Sequence, residues 1–71
     1  MNLSTDYTLT IKKMDQFLIE AILDLYVVRE ENRINNYLDQ EGQPILGFWN
    51  AGRFDSLEEA EEAVVKFLLR Q

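Results

Sequence analysis

Phe48 and Trp49 stand side by side, with Arg53 four residues beyond the tryptophan, and this is the pattern with the clearest chemical meaning in the chain. Tryptophan and arginine are the side chains most enriched where a few residues carry most of a protein–protein contact. Adjacent residues on one strand point to opposite faces. If the pair lies on a strand, one ring therefore joins the core. The other is exposed, covered by a loop or a helix, or buried against a partner. A second concentration of one residue type is the run Glu58-Glu59-Ala60-Glu61-Glu62. Four carboxylates so close together form an acidic surface that could dock a basic partner or imitate a row of phosphates. Glutamate is also favoured in the N-terminal half of any helix, where it complements the helix dipole. That accounts for their position without a partner.

Other chemistries find little to work with. The 71 residues include neither cysteine nor histidine, so there is no thiolate nucleophile, no imidazole base and no ordinary zinc ligand set. Asp39 with Glu41 offers a hard-cation pair but lacks the spacing of a calcium loop. Gly42, Gly47 and Gly52 do not form a phosphate-cradling loop. No enzymatic activity, cofactor or metal is expected. Tyr26, Tyr37, Arg29 and Arg33 would suit a stacking surface for single-stranded nucleic acid. The formal net charge of −6, with Glu30, Glu31 and Asp39 close by, repels phosphate and argues against direct nucleic-acid contact.

The elements that must position these residues are legible to different degrees. Residues 1–6 read as a polar, frayed start with none of the features of a signal peptide. Tyr7, Leu9 and Ile11 alternate with Thr8, Thr10 and Lys12, which predicts a short half-buried strand. From Asp15 to Leu25, Phe17, Leu18, Ala21, Ile22 and Leu25 fall at helical spacing behind a polar stripe of Gln16, Glu20 and Asp24. The composition favours a helix with Asp15 as its cap. The same segment also alternates with period two, so a strand stays open. The most apolar stretch, Phe17 to Val28, is 12 residues long and carries Glu20 and Asp24. That is too short and too charged to span a bilayer, which needs about 20 apolar residues. Tyr26–Arg29, Ile34–Leu38 and Ile45–Trp49 then predict a three-strand antiparallel meander.

From about Ser56 to Leu69 an amphipathic helix is expected. Leu57, Ala60, Ala63, Val64, Phe67 and Leu68 recur at helical spacing. Either Asp55 with Glu58 or Ser56 with Glu59 completes a capping box, and Phe54 sits where it can pack back on the first turn. The start of this helix resembles that of the amino-terminal domain of phage-type integrases, on Phe54, Ser56, Glu59 and Ala60. The resemblance covers under a quarter of the chain and implies a meander packed on one helix. Those domains bind DNA through a basic sheet, whereas this chain is acidic, so DNA binding is not carried over. Size and charge also resemble small acidic inhibitors encoded by phages or plasmids.

The expectation is a single α+β domain over residues 1–71: an N-terminal strand, a helix, a three-strand meander, and a C-terminal helix packed on the sheet. Its expected role is a non-catalytic protein-binding or regulatory module, cytoplasmic and free of membrane, for which a homodimer is one form. Phe48, Trp49 and Arg53 would make the contact, with Glu58, Glu59, Glu61 and Glu62 as an acidic rim. The alternative is an acidic inhibitor that mimics nucleic acid to block a nucleic-acid-binding protein, and it would also call on Glu30, Glu31, Asp39 and Glu41.

Overall fold

A computed structural model describes residues 8–71. The readings made for residues 1–6, and for Tyr7 at the start of the first strand, lie outside the described residues. Five strands form one antiparallel sheet in chain order: β1 Thr8–Met14, β2 Phe17–Ile22, β3 Leu25–Glu30, β4 Asn36–Leu38 and β5 Pro44–Leu46. A single α-helix, α1 Leu57–Leu69, follows. The architecture is α+β as expected, but the sheet has five strands rather than the smaller number predicted.

The helix expected over Asp15–Leu25 is instead strand β2 between two tight hairpins. Asp15-Gln16 links β1 to β2, and Leu23-Asp24 links β2 to β3. Asp15 and Leu23 make those turns with φ of 55° and 56°. A left-handed leucine is unusual, because its Cβ crowds the backbone. No Gly or Asn-Gly signal announces either turn. The helix formers of this segment yield to pairing on both sides: β2 is flanked by β1 and β3 along its whole length. Tertiary context commonly overrides intrinsic preference in this way. Strand β1 is also more exposed than the half-buried reading, with only its end residues Thr8 and Met14 partly covered.

The register sorts the side chains onto two faces. Phe17, Ile19 and Ala21 of β2 pair with Glu30, Val28 and Tyr26 of β3 and share the face that α1 covers. There Phe17, Ile19, Val28, Leu38, Phe54, Ala60, Ala63 and Val64 make the main core. Leu18, Glu20 and Ile22 project to the other face with Arg29, Val27 and Leu25. That face has its own smaller cluster, Val27, Tyr37 and Ala51, flanked by Ile22, Ile45 and Phe48.

Helix α1 begins as its sequence dictates. Ser56 is the N-cap, its Oγ accepting from the Glu59 amide at 3.2 Å, and the Glu59 carboxylate accepts the Asp55 amide at 3.1 Å. Of the two capping pairs the sequence allows, Ser56 with Glu59 is used, the Glu59 carboxylate reaching past the Ser56 amide to that of Asp55. Phe54 is buried beneath it and bridges β3 through reciprocal 2.9 Å bonds with Tyr26. The far end of α1 is gripped by the turn at Gly42, whose φ is +79°. A Cβ there would lie 2.7 Å from the Ala63 carbonyl and 2.9 Å from the Lys66 Cβ.

Two backbone positions of the same sign should therefore respond oppositely to substitution. Gly42→Ala is expected to lower unfolding stability by about 2 kcal/mol, from the left-handed conformation and the clash together. Leu23→Gly is expected to raise it by about 0.5 kcal/mol, relief of strain being partly offset by the extra chain entropy glycine loses. Urea midpoints measured side by side check both signs.

Candidate functional site

The most exposed aromatic ring among the described residues sits on a short connection that crosses the second face of the sheet. Strand β5 stops at Gly47, which takes φ 94° and ψ 136°, a conformation that favours glycine. A single 3₁₀ turn, Phe48–Asn50, follows. The aromatic pair is thus on a turn, not on the strand predicted, and the expectation of opposite sheet faces does not apply. Phe48 is half-buried, edge-on to Tyr37 with centroids 5.9 Å apart. Trp49 is edge-on to Phe48 at 5.5 Å, yet 85% of it is exposed.

The turn is held by hydrogen bonds from both ends. The Gly47 amide donates to Asn35 O at 2.8 Å, and the Asn50 side-chain amide donates to Leu46 O at 2.9 Å. Arg53 reaches back over the loop, one guanidinium nitrogen donating to Phe48 O at 3.0 Å and Ala51 O at 2.7 Å. Its Cζ lies 4.8 Å from the centroid of the Phe48 ring, in cation–π range. Arg53 was expected at the contact surface beside Trp49. Its guanidinium bonds to the turn that carries Trp49. Beyond it the loop runs so close to Asp39 and Gln40 that a Cβ on Gly52 would meet the Gln40 amide nitrogen at 2.7 Å.

The acidic residues lie on the other side of the sheet. Glu58, Glu59 and Glu62 are exposed on α1, whereas Glu61 is half-buried and paired with Lys12 of β1 at 2.7 Å. The structure does not bring this group together with Phe48, Trp49 and Arg53. Several carboxylates that a nucleic-acid mimic would need are engaged locally. Asp39 accepts the amides of Glu41 and Gln43, both at 2.9 Å, and Glu31 pairs with Lys13 at 2.9 Å. Glu30 accepts from the Gln16 and Asn36 side chains. The four residues of the suggested stacking surface are not assembled either. Tyr26 joins the helix-side core, Arg29 and the buried Tyr37 lie on the opposite face, and Arg33 is in an exposed turn.

Sequence reasoning missed a polar constellation on that second face. Glu20 is only 8% exposed and takes the Arg29 guanidinium at 3.0 Å and 3.3 Å. Tyr37 stands directly across from Arg29. The signal was available only in the strand register, which sets residues 20 and 29 on one face; a helix over 15–25 hides it. The hydrogen bonds that Arg29 donates to the Glu20 carboxylate raise the Arg29 pKa. Burial, then the Glu20 carboxylate, raises the Tyr37 phenol, while Arg29 and Arg53 pull it back. Among the described residues no group of three acidic side chains gathers where a metal ion could be held. Among the described residues no helix is long and apolar enough to cross a membrane. The chain matches no protein-family model, no curated protein and no solved structure.

The Tyr37 shift has a definite sign. Above the ordinary tyrosine value of 10.0 the unfolded chain loses a proton that the folded chain retains. Folding stability must therefore fall as pH rises through that range. Urea midpoints across alkaline pH are expected to show this loss. Tyr37→Phe should diminish it, and near-ultraviolet tyrosinate absorbance should lose the component that titrates above the ordinary tyrosine range.

Proposed function

We propose that the chain is a non-catalytic protein-docking module anchored by Trp49. The observation that carries this reading is a tryptophan 85% exposed on a turn that four side-chain and backbone hydrogen bonds tie to its surroundings. Truncating an anchor of this kind typically costs 2 kcal/mol or more of binding, roughly a thirtyfold loss. A tryptophan already fixed at its backbone gives up little freedom when a partner covers it. Phe48 and Arg53 act as positioning residues: one supports the indole and the other fastens the turn. The glutamates of α1 face away from the anchor and keep the helix soluble.

Co-purification from the native cell, run in parallel with the chain and with Trp49→Ala, tests this reading. The substitution is expected to release the specific partners while leaving the urea midpoint within about 0.5 kcal/mol of the parent, because the removed side chain is exposed. Arg53→Lys should weaken the same capture to a smaller degree, since lysine cannot serve both carbonyls in the same way. Undiminished capture by Trp49→Ala would overturn the proposal.

A further inference from the structure

The geometry points to a binding site for a free α-amino acid with a large apolar side chain, in the hollow beside the last turn of α1. The hollow encloses about 320 Å³, at the small end of the roughly 300–1,000 Å³ that small-molecule sites span. Phe17, Leu38, Pro44 and Phe67 make its apolar lining, and Glu30 and Arg33 bring one charge of each sign. Phe17 and Leu38 are buried in the sheet, and Phe67 stands edge-on to Phe17 with centroids 5.0 Å apart. The site makes no use of Trp49, so its failure would leave the docking reading untouched.

Glu30 is out of place on its face of the sheet. The register turns Phe17, Ile19 and Ala21 of β2 toward α1, with Tyr26, Val28 and Glu30 of β3, and Glu30 alone among them is charged. Each of its carboxylate oxygens accepts one neutral side-chain amide, from Asn36 at 3.4 Å and from Gln16 at 3.5 Å. Both bonds are long. Arg33 is held nearby, its backbone amide donating to Glu30 O at 3.3 Å. Among the described residues the two side chains form no ion pair, with each other or with any other group. An ammonium would give Glu30 a charge-assisted bond stronger than either amide supplies, and a carboxylate matches the guanidinium fork of Arg33. One molecule that carries both charges on a single carbon can answer both residues while its side chain covers Phe67 and Pro44. The N-terminus of a peptide has the ammonium without a carboxylate beside it and leaves Arg33 unanswered. A zwitterion has no net charge, so the chain's own −6 neither draws nor repels it.

Titrating the chain with L-leucine and L-phenylalanine while following its amide NMR shifts tests the site. Glycine, leucinamide and N-acetylleucine are the control probes, lacking in turn the side chain, the carboxylate charge and the ammonium. Leucine is expected to bind with a dissociation constant on the order of 1 mM and to shift the amides of Phe17, Asn36 and Phe67. Each control should bind at least about tenfold more weakly. Arg33→Gln replaces an exposed side chain, so its urea midpoint should match the parent's, and it should lose the preference for leucine over leucinamide. Glu30→Gln should lose the preference for leucine over N-acetylleucine. Saturating leucine and phenylalanine that move none of these amides overturn the site. Leucinamide binding to the parent as tightly as leucine, or an undiminished preference in Arg33→Gln, overturns the recognition of both charges.

Discussion

Val27 and Val28 are neighbours on the central strand, point to opposite faces of the sheet, and are both fully buried. Burying one such side chain is worth about 1.5–3 kcal/mol, so a chain this small gains heavily from covering both. Among the described residues there is one long helix to do so. Helix α1 covers the Val28 face, and the Val27 face must be closed by whatever remains. The stretch from Gly47 to Phe54 fills that role, running from the Asn35 amide-bonded corner across Tyr37 and Val27 to its bridge with Tyr26. Two-sided burial without a second helix is the constraint from which the other features follow.

A connection used as a cover brings its backbone with it, and polar groups turned toward a core must be satisfied. Arg53 and Asn50 meet that need by donating to the carbonyls of Phe48, Ala51 and Leu46. The Gly52 amide donates to Leu38 O at 3.0 Å, and the close approach this brings to Asp39 and Gln40 leaves no room for a side chain. On the part of the face that the loop does not reach, the sheet closes over a charged pair instead. Glu20 and the half-buried Arg29 satisfy each other, and removing the arginine would leave the nearly buried carboxylate without its partner.

How much of this could be read from the residues depended on whether the information was local. The start of α1 was legible because Ser56, Glu59 and the apolar repeat act within a few residues of one another. The strand β2 was not. Phe17, Ile19 and Ala21 fit both periods, since a strand buried on both faces has little polar alternation to display. The turns at Asp15 and Leu23 lack the residues that normally mark left-handed backbone. Trp49 was legible as a candidate anchor by type alone, but its setting was not. Its strand was expected to continue through Phe48 and Trp49, and it ends at Leu46 because Gly47 turns the chain back over the sheet. Arg53 carried the same ambiguity: arginine suits an interface, and it equally suits a loop with carbonyls to satisfy.

The cover over Val27 explains why Phe48 is where it is, since its ring lies against Tyr37 within the second cluster. It does not explain Trp49. An indole beside Phe48 contributes little to that cluster while 85% of it remains in water. A polar residue at position 49 would leave Phe48, Ala51 and the carbonyl bonds of Arg53 as they are. The turn is rigid for the sake of the fold, and the side chain it presents is set apart from the fold's needs. A turn held by its own hydrogen bonds while its ring lies in water is the observation on which the docking proposal rests, because little backbone ordering would then remain for a partner to supply.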